Sequence, residues 1–280
     1  MTASDKGLDG AWPEASGIDK RPAVTIVSLF PSMFESWLRQ GVTARAIERG
    51  IARVDILNLR PFGVGRHHVT DDYPFGGGPG MVMKPEPLFE AVESLAMDAD
   101  TPLILLSPHG RKFDQRVAER LAAVPRFVLI AGHYEGVDER VRRHLVTDDL
   151  SIGDYVLSAG ELAAMVVSDA VIRLLPGALA ESSTLEESFT SGLLEYPQYT
   201  RPAEYRGWQV PEVLLSGHHG AIRAWRRQEA LHATARVRPD LLQTADLDPS
   251  EMQEALQWAE SHQLPTIDSQ NAVDIDDDWE

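Results

Sequence analysis

Four short apolar runs, at residues 24–30, 54–59, 103–107 and 127–131, are rich in Val, Ile and Leu and bounded by Pro, Gly or charged residues. Runs this short, without polar alternation, predict strands buried on both faces. Between them, helical patterns predict helices over 32–50, 86–96, 114–123 and 138–145. Strands alternating with helices imply an α/β fold with a mostly parallel sheet, and periodicity alone gives an ordinary doubly wound one. A strongly apolar stretch, 161–175, ends at Pro176-Gly177 and reads as a buried helix packed on the sheet or on a partner subunit.

The pattern then changes. Residues 178–199 lose periodicity and are rich in Ser, Thr and Glu, as a linker would be. Beyond them, 221–235 and 249–262 read as amphipathic helices, with a short strand at 210–215. The expected organisation is a disordered N-terminal extension (1–22), an α/β domain (23–179), a linker (180–198), a small mainly helical domain (199–265) and an acidic disordered tail (266–280).

Composition narrows the chemistry. The chain of 280 residues has no cysteine, which excludes disulfides, thiolate metal sites and a thiol nucleophile and fits a cytoplasmic setting. Residues 1–20 hold no apolar run and eighteen apolar residues never occur together, so neither secretion nor a membrane partner is expected. A net charge of −17 argues against a nucleic-acid partner. The excess is uneven, however: residues 241–280 contain no Lys or Arg, whereas Arg223, Arg226, Arg227, Arg236 and Arg238 form a basic stretch, joined by Arg201, Arg206, Arg111 and Lys112.

Two glycine-containing segments carry the most information: the loop 151–162 and the turn 131–136. Neither has the G-x-G-x-x-G or Gly-Lys-Ser/Thr spacing of the common phosphate-binding loops. Their backbone N–H and C=O groups suit a neutral polar edge such as adenine, which points to a nucleoside cofactor. A third glycine run, 76–80, has the character of an anion-holding nest near Arg66, His67 and His68. The pairs His67-His68 and His218-His219 lack an acidic residue at ligand spacing, so no metal is assigned to them.

These segments occur in a fixed order: Asp71-Asp72-Tyr73-Pro74-Phe75-Gly76-Gly77-Gly78-Pro79-Gly80-Met81, then Gly132-His133-Tyr134-Glu135-Gly136, then 151–162, then Tyr199-Thr200-Arg201-Pro202. Together with Leu29-Phe30-Pro31, Leu106-Ser107-Pro108 and Leu215-Ser216-Gly217-His218 they closely resemble the bacterial tRNA (guanine-N1)-methyltransferases, over about residues 24–242. The resemblance implies the SPOUT class, whose parallel sheet contains a deep trefoil knot that holds S-adenosylmethionine. It also implies a homodimer with interfacial active sites, a C-terminal domain that helps hold tRNA, and 1-methylguanosine at tRNA position 37 as product. Magnesium enters only through the same resemblance.

Carried over motif by motif, the methyl-donor pocket comprises Pro108, Gly132, Tyr134, Glu135, Ser151, Ile152, Gly153, Asp154, Tyr155, Val156, Leu157 and Gly160. Methylation at N1 of guanine requires a base for the N1 proton and a cation or donor for charge developing on O6. The resemblance gives the second role to Arg173 and the first to an acidic residue before Ser188-Phe189. That residue is Glu187, with Glu186 as substitute, where the family has aspartate. RNA contact falls to Ser188, Tyr199, Thr200, Arg201, Arg223 and Arg226, since loop bases splayed from their stack expose the Watson–Crick edge. The chain departs from the pattern at His133, Ala159 and Ala163, and an extra methyl at Ala159 would crowd a tight ligand turn. Two other readings stay open: a knotted methyltransferase with another RNA target, and an RNA-binding factor without catalysis.

Overall fold

The structure, a computed structural model, describes residues 22–180 and 187–262. The extension before residue 22, Glu186 and the tail 266–280 lie outside the described residues. The chain divides into two compact units, Met1–Leu179 and Ala180–Glu280.

The first unit is built on strands β1 (Ala23–Ser28), β2 (Arg53–Asn58), β5 (Leu103–Lys112), β6 (Arg126–Ala131) and β7 (Asp148–Ser151), beside a separate two-stranded pair of β3 (Asp71–Asp72) and β4 (Val82–Met83); the five strands form one sheet. All pair in parallel, in the order β2-β1-β6-β5-β7. Both faces are covered. Ile26, Ile104, Leu106, Phe127 and Leu129 pack against helices α4 (Gln115–Ala122) and α6 (Glu161–Ile172). Their neighbours Val27, Leu103, Leu105, Val128 and Ile130 pack against α3 (Pro85–Glu93) and α5 (Glu139–His144). Alternate residues serve opposite faces and both faces need apolar side chains, which is why the runs are continuous.

Three elements differ from the sequence expectation. Strand β7 reads Asp-Asp-Leu-Ser, with Leu150 its only apolar residue, and gives no apolar run to detect. It forms because β5, which continues past Ser107 to Lys112, offers it a paired edge, with a register shift between Leu106 and Arg111. The helix expected over 32–50 breaks into a 3-10 turn (Pro31–Phe34), α1 (Glu35–Leu38) and α2 (Gly41–Glu48), separated where Gly41 takes φ +73°. The strand expected at 210–215 is instead the helix Glu212–Leu215 after Pro211, with a hairpin of β8 (Glu204–Tyr205) and β9 (Trp208–Gln209) before it. Val210, Val213 and Leu214 fit helical spacing as well as a short strand, and the proline at the N-cap decides between them.

In the second unit, helices His219–Val237 and Pro249–Ser261 enclose a core of Leu193, Ala230, Leu231, Ala235, Leu242, Ala255 and Ala259. Leu193 comes from the stretch read as linker and is only 1% exposed. The second long helix starts with a capping box, Asp248 with Glu251, and Glu251 also receives the Arg227 guanidinium at 2.6 Å. No described helix is long and apolar enough to cross a membrane.

Candidate functional site

The middle of β5 and the segments that follow β6 and β7 surround a cavity of about 470 Å³. This is where open parallel sheets form binding crevices. Of the residues assigned to the methyl donor, Pro108 comes from the β5 segment and Gly132, Tyr134 and Glu135 from the β6 segment. The β7 segment brings Ser151, Ile152, Gly153, Tyr155, Val156, Leu157 and Gly160 to the same wall. Asp154 is exposed on that loop and is not on the wall.

Backbone contact closes one side of the cavity. Gly160 N–H donates to the Gly132 carbonyl at 2.7 Å, and His133 pairs with Ala159 as an isolated antiparallel bridge. A Cβ on Gly160 would lie 2.7 Å from Gly132 N and 2.9 Å from Ala131 Cα, so only glycine lets these strands of backbone touch. Ala159 is not among the residues with positive φ, and its methyl requires no strained backbone. Gly153, at φ +153°, lies beneath the Tyr155 ring, whose hydroxyl donates to the Ile152 carbonyl at 3.3 Å. Ser151 Oγ donates to the Gly153 carbonyl at 3.0 Å. The loop is therefore held by its own bonds before any ligand arrives.

Charged groups the sequence did not single out support the wall. Arg142 pairs with Asp149 and donates to Ser107 Oγ at 3.1 Å, tying α5 to β7 and to the middle of β5. Burial raises the Asp149 carboxyl above its ordinary value, and the Arg142 guanidinium opposes that shift. Glu161, the first residue of α6, is fully buried and accepts the Ser28 hydroxyl at 2.7 Å. Its other carboxylate oxygen is buried without a hydrogen-bond partner among the described residues. A carboxylate at the head of an otherwise apolar run was the sequence signal for it.

Tyr134 has φ +59°, and its phenol is raised above its usual pKa first by burial and then by the Asp71 carboxylate. Glu135 lies over Gly80, and its backbone N–H donates to the Met81 carbonyl at 3.0 Å. The glycine run 76–80 thus flanks the turn 132–136.

Arg173 is the C-cap of α6. That helix has 12 residues between its N-cap Gly160 and its C-cap Arg173, so Arg173 stands about 20 Å along the helix axis from Gly160, at the end away from the cavity. In the second unit, Glu187 lines a smaller cavity of about 250 Å³ together with Tyr196, Arg223 and Arg226. The Arg226 guanidinium lies 4.7 Å from the Tyr196 ring centre, a contact the sequence did not suggest. Ser188 Oγ accepts the Glu195 N–H at 2.9 Å. Tyr199 faces Trp225 with ring centres 6.3 Å apart, and Thr200 and Arg201 are exposed. Among the described residues no group of three or more His, Asp or Glu is placed to hold a metal ion, and no residue is assigned to magnesium.

Comparison with known proteins bears on the whole arrangement. The family model described as tRNA (Guanine-1)-methyltransferase TrmD matches residues 23–244. The chain is 55% identical over 232 residues to a protein of Moorella thermoacetica named tRNA (guanine-N(1)-)-methyltransferase, covering 81% of this chain and 93% of that one. Proteins of the same name from Brevibacillus brevis (54% over 221 residues, 79% and 91% covered) and Halalkalibacterium halodurans (51% over 233 residues, 82% and 95% covered) are similar to nearly the same extent.

Proposed function

The chain belongs to the tRNA (guanine-1)-methyltransferase family, and on that premise we propose that it methylates N1 of guanosine in tRNA, at position 37 beside the anticodon, using S-adenosylmethionine. The observation that carries the reading is the cavity between the middle of β5 and the segments that follow β6 and β7, closed by the contact of Gly160 with Gly132. Its size and lining fit an adenosyl group. Backbone groups of Gly132, Ile152 and Leu157 are available for the polar edge of adenine, and the Tyr134, Val156 and Leu157 side chains for its apolar surface. S-adenosylmethionine supplies a methyl group on a cationic sulfur that leaves as a neutral thioether.

The protein's own residues serve the guanine. Glu187 accepts the N1 proton, which makes N1 a competent nucleophile. Arg173 donates to O6, where negative charge develops. The position of Arg173 at the far end of α6 supports a homodimer in which a second copy brings its Arg173 to the cavity of the first. The same reading takes the close approach of β5 and β7, where a Cβ on Gly110 would lie 2.5 Å from the Leu150 backbone, as part of a trefoil knot. It also places the enzyme in the cytoplasm, where tRNA is found.

Incubation with S-adenosylmethionine and a tRNA transcript with or without guanosine at position 37, followed by nucleoside mass spectrometry, tests the reaction. We expect 1-methylguanosine only with the first transcript. Donor binding without product on either RNA would instead mean another RNA target or a factor without catalysis.

The interfacial site has a test of its own. Gly160→Ala and Arg173→Ala chains, each inactive alone, should recover activity when unfolded and refolded together. The mixed dimer then holds one cavity with intact Gly160 and one intact Arg173 across from it. No recovery, with mixed dimers verified by mass, assigns Arg173 and the cavity to the same chain.

A further inference from the structure

The hairpin of β8 and β9 carries side chains that the assignments above leave unused. Tyr205 and Trp208 are register partners on either side of a two-residue turn, Arg206-Gly207. Both turn residues have positive φ, +54° and +84°, the pattern of a tight hairpin turn whose twist matches its strands. Directly opposed residues of an antiparallel pair project from the same face. Accordingly the two rings lie side by side, with centres 6.4 Å apart and planes inclined at 45°. They are exposed to an unusual degree for large aromatics, Tyr205 at 56% and Trp208 at 71%.

Arg206 stacks its guanidinium 5.2 Å from the centre of the Tyr205 ring. Among the described residues it has no carboxylate partner within ion-pair distance, in contrast to Arg227 with Glu251 and Arg238 with Asp240 in the same unit. Glu204, the one acid of the hairpin, is turned to Gln209, whose amide nitrogen is 3.5 Å from it. The tip therefore offers two aromatic faces and one uncompensated cation.

We propose that this hairpin is a stacking platform for an unpaired nucleobase of the RNA substrate, with Trp208 and Tyr205 supplying the faces and Arg206 the charge for an adjoining phosphate. It rests on the reading that the substrate is tRNA. Two features favour a base over other occupants. The charge of the tip is positive and free, complementary to a phosphate backbone. Every base has a π-face, so such a platform holds a loop without dictating sequence. An aromatic pair retained in water at the tip of a rigid turn is otherwise unfavourable.

The test uses the full chain as wild type, Trp208→Ala, Trp208→Phe and Arg206→Ala, with the transcript of the methylation assay as probe. Trp208→Ala should raise the Kd for the transcript about tenfold, the usual effect of losing one base stack, and Trp208→Phe should restore most of it. The methylation defect should appear in KM for RNA, with kcat, S-adenosylmethionine affinity and sedimentation unchanged. An unaltered transcript Kd in Trp208→Ala overturns the proposal. So does a fall in sedimentation coefficient to that of a smaller species, which assigns the patch to a second copy of the chain. If the wild type binds the transcript in a Trp208-dependent way yet makes no 1-methylguanosine, the platform stands and the catalytic reading fails.

Discussion

Gly160→Ala is expected to weaken S-adenosylmethionine binding about a hundredfold while leaving the chain folded. Its φ of −78° suits any residue, so the substitution carries no conformational penalty, and the obstacle is space alone. The new Cβ would lie 2.7 Å from Gly132 N, 2.9 Å from Ala131 Cα and 3.0 Å from Ala131 C. All three are backbone atoms at the end of a central strand, and none belongs to a flexible side chain that can swing away. Relief requires the loop before α6 to retreat from the turn after β6. That motion breaks the 2.7 Å bond from Gly160 N to Gly132 O and the bridge between His133 and Ala159, the contacts that close the cavity. Overpacking of this kind typically costs about 1–3 kcal/mol, and a hundredfold loss of affinity corresponds to about 2.7 kcal/mol.

Titration calorimetry with S-adenosylmethionine, beside urea unfolding, separates the outcomes. Lost binding with a nearly unchanged unfolding midpoint places the effect in the cavity. Gly136→Ala is the informative control, because its Cβ meets nothing within 4 Å although its φ is +124°. It strains the backbone next to the cavity without filling it, and should disturb binding less. Donor affinity unchanged in Gly160→Ala would mean that this contact does not shape the binding site.

The same glycine marks what the sequence could disclose. Largely apolar runs gave four of the five strands of the main sheet, because a strand covered on both faces needs mostly apolar side chains, and even the edge strand β2, with Arg53, Asp55 and Asn58, keeps Val54, Ile56 and Leu57. Strand β7 escaped because its two aspartates satisfy themselves at the sheet edge, Asp148 with Arg111 and Asp149 with Arg142. Arg111 is 37 residues from Asp148 and Arg142 lies on the preceding helix, so the strand's own sequence pattern does not record them. The loop 151–160 stood out by its motif, and its assigned residues other than Asp154 lie on the cavity wall, but the reason for Gly160 was not legible: the atoms it must avoid belong to residues 131 and 132, brought close only by the sheet. Likewise the pairing of Glu161 with Ser28 spans 133 positions. The helix at 212–215 was misread because six residues are too few for periodicity to separate a strand from a helical turn, and Pro211 carried the deciding information.

Glu187→Gln is expected to lower the rate of methyl transfer by about 10²–10⁴, the range a positioned general base supplies. The amide has nearly the same shape as the carboxylate but does not accept the N1 proton at a useful rate, so binding of tRNA and of S-adenosylmethionine should stay close to wild type. Glu187 lines the small cavity of the second unit, with Arg223 and Arg226 on the same wall. A carboxylate among arginines can also serve as a purely electrostatic brace, and the two roles respond differently to substitution. Loss of a brace would loosen the arginines and appear as a higher KM for RNA. Loss of a base leaves KM near its wild-type value and removes kcat. Glu186→Gln should leave the rate within a fewfold of wild type. Full activity in Glu187→Gln would transfer the proton to another acceptor, and with Glu186→Gln inactive the base would be the preceding residue, one position closer to Arg173 along the chain.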